Sequence, residues 1–270
     1  MPGLVRLIHP APAAAVVTLS ALLGAILSQQ GGLPPFGVRV TLTVLSVLGS
    51  QIVTGAMNDW ADRSRDVVTQ PTKPIPSGQV SPSSALALAA AGLGVQVAAS
   101  APLGVTALLL GLLAVASAVA YDLWLSRTAA SFVPYLVSFG VLPLWVAAGA
   151  GVPLERVVVA SLLVGPFAVA AHLANTLKDY DGDAVMRSGN LAQRLGRRHA
   201  TVLTITLALG IGLSAGIGLG IGGRLGLPSV VLGLVGLLAV AQGIGGARRL
   251  WPGILVAAVS WTAAWALATG

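Results

Sequence analysis

Nine stretches of about 20 residues, each with at most one Lys, Arg, Asp or Glu, fill most of this chain, and that length and polarity is what a helix needs to cross a bilayer. They fall near residues 11–29, 38–57, 82–101, 104–121, 132–150, 156–177, 200–222, 228–243 and 252–269. In hydrocarbon every backbone N–H and C=O must be satisfied within the segment, so an all-α, polytopic membrane protein with nine transmembrane helices follows. Only 9% of the 270 residues are charged, against about 25% in a soluble domain. A soluble globular fold is thereby excluded. With no cysteine in the chain, disulfides, thiolate nucleophiles and Cys-based metal sites are excluded as well.

The joints between spans are of two kinds. Gly31-Gly32-Leu33-Pro34-Pro35, Ala101-Pro102-Leu103-Gly104, Gly151-Val152-Pro153 and Gly226-Leu227-Pro228 are short turn signals with almost no charge. The joints at 58–81, 122–131, 178–199 and 244–251 carry most of the ionised residues. With nine spans, the N-terminus and those four charged joints lie on one side of the membrane. That side holds twelve basic residues (Arg6, Arg63, Arg65, Lys73, Arg127, Lys178, Arg187, Arg194, Arg197, Arg198, Arg248 and Arg249), and the other holds Arg39, Arg156 and Arg224. The asymmetry predicts an integral protein of the cell membrane with the N-terminus and charged loops in the cytoplasm. It also accounts for the net charge of +7 without nucleic acid as a partner; membrane lipid is the partner instead. The first span ends without an Ala-x-Ala site and is expected to be retained. The glycine runs Gly92-Leu93-Gly94 and Gly216-Ile217-Gly218-Leu219-Gly220 are expected to be surfaces of close helix packing.

Seven of the eight acids belong to the charged side, and six form two groups with one spacing. Asn58, Asp62 and Asp66 repeat as Asn175, Asp179 and Asp183, each an Asn-x3-Asp-x3-Asp. On a continuous helix, residues at i, i+4 and i+8 share an arc of about 80°, so each motif aims one amide and two carboxylates in one direction. Asp59 falls at the edge of the first arc. Asp181 points away from the second unless Gly182 breaks the helix. As solvated acids at helix ends these residues would be ill placed: like charges at i,i+4 repel, and the C-terminal end of the helix dipole is itself negative. Hard oxygen ligands in pairs suit Mg²⁺, which takes one or two carboxylates and completes its shell with water and phosphate oxygens. Lys73, within Lys73-Pro74-Ile75-Pro76-Ser77-Gly78, follows the first motif, and Arg187, Arg194, Arg197 and Arg198 follow the second. A phosphate-bearing substrate held between metal and these cations is the economical reading. In the third charged loop, Tyr121 and Trp124 also suit an aromatic belt, and Arg127 a positive-inside anchor. His172 reads as a packing histidine, and His9 and His199 carry no signal.

At these residues the sequence resembles the UbiA superfamily of intramembrane prenyltransferases. Asn58-Asp59-x2-Asp62-x3-Asp66 with Lys73-Pro74-Ile75-Pro76-Ser77-Gly78 is similar to that family's first aspartate-rich motif and its Lys/Arg-Pro loop. Asn175-x3-Asp179-x3-Asp183, running on to Asn190-Leu191-Ala192-Gln193-Arg194-Leu195-Gly196, is similar to the second motif and its Leu-Ala-x-Arg-Leu-Gly element. Tyr121 to Arg127 resembles the Tyr-x-x-x-Leu-Lys/Arg-Arg segment, with Ser126 where a basic residue is common. The resemblance covers nearly the whole chain as one domain, residues 1–270. It implies nine helices around a central apolar cavity, with both motifs at its cytoplasmic mouth. It further implies Mg²⁺ held by Asn58, Asp59, Asp62, Asp66, Asn175, Asp179 and Asp183, with Asp62, Asp66, Asp179 and Asp183 as the catalytic acids. The diphosphate of an isoprenoid donor would meet Lys73, Arg127, Arg194 and Tyr121. The acceptor expected on this basis is a small hydrophobic molecule, aromatic or quinone-precursor-like.

Three other readings use the same residues. A membrane terpene cyclase of the same superfamily would ionise the same diphosphate and capture the cation internally. A cation-coupled transporter would place its acids near the bilayer midplane, and here they sit at span ends. A purely structural membrane protein would not need the repeated acids. Because the chain has no native cysteine, topology can be tested directly. In intact cells a membrane-impermeant maleimide should label Glu155→Cys and should reach Ser77→Cys only after lysis; the reverse pattern would refute the orientation.

Overall fold

The computed structural model of the chain describes residues 2–186, 188–246 and 249–269. Arg187 and Arg248 lie outside the described residues. The helices, in chain order, are α1 (Pro2–Leu7), α2 (Pro10–Gln30), α3 (Val38–Thr69), α4 (Pro82–Ser100), α5 (Val105–Leu123), α6 (Val133–Ala150), α7 (Val158–Lys178), α8 (Tyr180–Val185), α9 (Leu191–Ile221), α10 (Leu227–Ala241) and α11 (Leu250–Thr269). Among the described residues there is no strand, and nine helices, α2–α7 and α9–α11, are long and apolar enough to cross a membrane. The chain is an all-α integral membrane protein. The eighth span, which is short in sequence, reaches 19 residues because a 3₁₀ turn over Gln242–Gly245 extends α10.

The chain divides into two compact units, Met1–Trp124 with Val137–Ser161, and Leu125–Leu136 with Leu162–Gly270. The first unit is organised on α3. At about 1.5 Å per residue its 32 residues run about 48 Å, well beyond the roughly 30 Å of hydrocarbon. The sequence places the end of the span at residue 57, whereas the helix continues through the acidic motif to Thr69. The excess length is enough for the motif to lie beyond an apolar slab of that thickness, on a rigid support. Glycines set how close the neighbours come. A Cβ on Gly49 would stand 2.7 Å from the Gly92 carbonyl oxygen of α4, and one on Gly55 would stand 2.5 Å from the Leu7 carbonyl oxygen at the end of α1. Leu7, Ile75, Val80 and Ala85 are buried together, with Leu4, Trp60 and Leu88 packed around them. This small core pins the 70–80 loop against α1 and α3. Arg6 of α1 adds a hydrogen bond from Nη2 to the Thr72 carbonyl at 2.9 Å.

In the second unit Ala170, Leu173, Ala174, Leu177, Ala208, Val240, Leu250 and Ile254 form the core of α7, α9, α10 and α11. The Trp261 ring fills notches at Gly212 and Gly236, and its Nε1 donates to the Gly233 carbonyl at 3.1 Å. The glycine run at 216–220 does not pack as expected: among the described residues nothing stands within 4 Å of where a Cβ would project at Gly216 or Gly218, and only the Leu225 side chain comes near Gly220. The other expected surface is used in part, since Gly92 packs and Gly94 faces open space. Which glycine is used depends on where a neighbour's bulk falls, and spacing along one helix does not report that. Gly55→Ala should lower stability by about 1–3 kcal/mol, because its clash is with backbone, and Gly94→Ala should be neutral or mildly stabilising. Thermal unfolding midpoints of the two variants in detergent check this.

Candidate active site

The first acidic motif lies wholly on α3. The residues that the structure brings together are Asp59 and Asp66, seven apart, which at 100° per residue point within about 20° of each other, two turns along the helix. Both are almost fully buried, at 1% and 2% exposure. Lys73 joins them: its Nζ lies 2.8 Å from Asp66 Oδ2 and 3.0 Å from Asp59 Oδ1. The lysine is delivered by a tight loop in which its N–H donates to the Gln70 carbonyl and its own carbonyl accepts from the Ser77 N–H and hydroxyl. Gly78, at φ +75°, closes that loop in a conformation that side chains disfavour. Burial works against the ammonium charge, but the hydrogen bonds to Asp66 and Asp59 outweigh it and raise the Lys73 pKa above the ordinary 10.5. Asp62 and Asn58 are half-buried on the same length of helix.

Two further residues reach this motif from outside it. His9 adopts the left-handed region at φ 52°, ψ 70°, and sets its Nε2 3.1 Å from Asp59 Oδ1. Gly55, one turn before Asp59, permits the backbone at Leu7 and Ile8 to lie on α3 close enough for this contact. Read as a sequence, His9 gives no hint of such a role, because only the approach of α1 to α3 brings it there. Asp122, at the end of α5, accepts a hydrogen bond from Asn58 Nδ2 at 3.0 Å. Its neighbour Tyr121 is half-buried, while Trp124 is 68% exposed, as an interfacial aromatic would be.

The second motif has the same spacing and a different structure. The continuous helix assumed for it does not exist: α7 ends at Lys178, Asp179 takes φ −102°, ψ 15°, and a separate α8 begins at Tyr180. The break therefore falls at Asp179, and Gly182 lies inside α8. Of its acids only Asp183 is buried, with Oδ2 accepting from Asn190 Nδ2 at 2.9 Å. Asn190, itself buried, also caps α9 by accepting the Gln193 N–H at 2.9 Å. The same amide thus holds the acid and starts the helix that bears Arg194. Asp179 is exposed beside Lys178, and Asp181 is exposed and bonded to Arg197, whose guanidinium lies 4.7 Å from the Tyr180 ring centre. Asn175 is half-buried and accepts from Lys178 Nζ at 3.3 Å. Gly196, at φ +76°, interrupts α9 just after Leu191–Leu195. Arg127 and Arg194 are exposed and come near one another's segments at Gly189, where a Cβ would lie 2.8 Å from the Arg127 carbonyl oxygen and 3.7 Å from Arg194 Nη2. His172 is buried, bonded through Nε2 to Ser131 Oγ at 3.0 Å and stacked on Tyr135, which is the packing role its position suggests.

Among the described residues no three His, Asp or Glu side chains gather into a preformed metal cage. Magnesium does not need one, since it binds through one or two carboxylates plus water and phosphate oxygens. The Asp59 and Asp66 carboxylates are hard oxygen donors, buried, and already organised around a cation in the form of the Lys73 ammonium. That donor set fits Mg²⁺.

A sequence model of the UbiA prenyltransferase family matches residues 17–253. The chain is 30% identical over 213 residues to a protoheme IX farnesyltransferase of Dinoroseobacter shibae, covering 74% of this chain and 66% of that protein. It is 30% identical over 201 residues to a digeranylgeranylglyceryl phosphate synthase of Natronomonas pharaonis, covering 73% and 70%. It thus spans about two thirds of the length of these relatives. The fold matches that of a UbiA homologue from Archaeoglobus fulgidus bound to GPP and Mg²⁺, with a TM-score of 0.71 at 15% identity, over 99% of this chain and 100% of the other.

Lys73→Met should destabilise the metal-free protein by about 3 kcal/mol, because it takes the ammonium from two buried carboxylates and leaves Asp59 with His9. The folded-state pKa of Lys73 is raised, so its contribution is complete below the ordinary lysine value and disappears only as pH climbs through the raised one. The stability gap between wild type and Lys73→Met should accordingly stay constant from about pH 7 to about pH 10. Thermal unfolding at several pH values reads both.

Proposed function

Since the chain belongs to the UbiA prenyltransferase family, we propose that it transfers an isoprenoid group, within the membrane, from an allylic diphosphate to a hydrophobic acceptor. The observation that carries this reading is the burial of Asp59 and Asp66 around the Lys73 ammonium at the end of α3. Two carboxylates held at nearly zero exposure are costly without positive charge beside them. A chain needing only a membrane anchor has no use for them. Relatives named as prenyltransferases, and a fold relative that carries GPP with Mg²⁺, support the same conclusion.

In this reading Asn58, Asp59, Asp62 and Asp66 of the first motif, and Asn175, Asp179 and Asp183 of the second, offer oxygen atoms to Mg²⁺. When bound, Mg²⁺ supplies positive charge to the diphosphate oxygens as the allylic C–O bond lengthens. The catalytic acids Asp62, Asp66, Asp179 and Asp183 hold that charge in place. Lys73, Arg127, Arg194 and Tyr121 contact the diphosphate, each as a donor to an oxygen on which negative charge grows. The apolar spans receive the prenyl tail and keep water from the allylic cation, which would otherwise be hydrolysed. The bond broken is the allylic C–O; the bond formed joins C1 of the prenyl group to the acceptor, which releases a proton.

The relatives' names specify protoheme IX, a porphyrin, and a digeranylgeranylglyceryl phosphate, a glycerol phosphate lipid, so they do not single out the aromatic or quinone-precursor acceptor expected from sequence. The reading keeps only a hydrophobic acceptor that arrives through the lipid. The cytoplasmic placement of the acids and the cell membrane as location rest on the charge asymmetry of the loops.

Purified protein in detergent or nanodiscs, given a ladder of allylic diphosphates and Mg²⁺, should release diphosphate and lose that activity on chelation. Asp62→Asn and Asp179→Asn should each lower the rate by at least about 100-fold, on the scale of removing one group that stabilises developing charge. Mass spectrometry of the organic product, with donor alone and with added acceptors, separates transfer from internal cyclisation. Absence of diphosphate release from every donor would refute the proposal.

A further inference from the structure

Asp122 is an acid beside acids. It ends α5, is half-buried, and meets α3 at Asn58, next in sequence to Asp59 and within the motif that holds Asp62. Its hydrogen bond is to an amide, Asn58 Nδ2, at 3.0 Å. The motif resemblance passes through this position, between Tyr121 and Leu125, and assigns nothing to it. A site that only needed packing here would gain from a neutral residue, because a third carboxylate near Asp59 and Asp62 adds repulsion. What a carboxylate does that a neutral apolar residue cannot is fix which way an amide points. The Asn side chain has an NH₂ end that only donates and an oxygen end that only accepts, and the two ends are nearly the same size. A carboxylate accepts only. Against ionised Asp122, Asn58 presents its NH₂ end, as the 3.0 Å hydrogen bond shows, since the reverse orientation sets oxygen against oxygen.

We infer that Asp122 is a positioning residue of the first acidic motif: it holds the Asn58 amide by its NH₂ end, so that the Asn58 carbonyl oxygen is turned toward the cation seat of that motif. The inference rests on the reading of Asn58 as an oxygen ligand. Partners of this kind, one shell out from a ligand, orient it, and their loss lowers metal affinity by about 10–100-fold.

The test uses Mn²⁺ alone as a probe for Mg²⁺, both being hard cations that favour oxygen donors, and reads bound metal by electron paramagnetic resonance on the purified full-length protein. Asp122→Ala should weaken Mn²⁺ binding about tenfold or more while the thermal midpoint shows that the protein remains folded. Asp122→Asn should also weaken it, because an amide at 122 can pair with Asn58 in either orientation. The exchange Asn58→Asp with Asp122→Asn should recover most of the loss, because the amide now donates from position 122 and an oxygen at 58 is again left facing the cation. Unchanged affinity in Asp122→Ala overturns the inference. An exchange variant no better than Asp122→Asn also overturns it, and makes Asp122 a direct ligand. Asp66→Asn is the control: if it abolishes Mn²⁺ binding while Asp122→Ala does not affect it, this inference alone fails. If wild type binds no Mn²⁺, or Asp66→Asn leaves binding intact, the metal reading of the motif fails with it.

Discussion

The Lys73 ammonium between Asp59 and Asp66 is the interaction on which the rest of the first unit turns. Two carboxylates at the end of a helix, each almost without solvent, are untenable unless a cation stands between them. Everything local serves to bring that cation there. Ile75 and Val80 sink into an apolar core with Leu7 and Ala85, Gly78 closes the loop, and Arg6 ties α1 to Thr72. The loop is held at its apolar residues so that its one lysine is held at its charge. The seat is therefore organised, and electrostatically balanced, in the protein's own chemistry.

Length and close approach are the second constraint. A helix of 32 residues is long enough to cross the hydrocarbon and still extend through the acids. Gly49 and Gly55 let α4 and the start of the chain press against that helix. Without Gly55 the backbone at Leu7 and Ile8 could not lie there, and His9 would not reach Asp59. Small residues act here in place of hydrophobic driving force, which is weak between helices in lipid. In the second unit a tryptophan in two glycine notches does the same work, and a buried asparagine links Asp183 to the first turn of α9.

The two motifs show what spacing can and cannot say. Both are Asn-x3-Asp-x3-Asp, and on an unbroken helix both would present the same arc. The first does lie on an unbroken helix, yet its buried pair is Asp59 with Asp66, so the residue at the edge of the arc is the one drawn in. The second is broken at Asp179, and its acids divide into one buried, Asp183, and two exposed, Asp179 and Asp181. No residue nearby announces that break; Gly182, the natural suspect, sits within a helical turn. Arg194 was legible as a cation following the second motif, and Arg127 through the resemblance of the third charged loop. Their approach at Gly189 was not, since it joins segments more than 60 residues apart in sequence.

The sequence by itself determined the solvent, the number of spans, the collection of charge into alternate joints and the residue types available for chemistry. These follow from composition and from local period, because lipid allows a backbone few alternatives to the helix. Tertiary structure alone decided which acids are buried and what faces them. His9 at Asp59, Asp122 at Asn58 and Asn190 at Asp183 are each a contact between separate helices or loops. Such contacts depend on where backbones come close enough to touch, and that is set by the packing of several elements at once rather than by the spacing along any one.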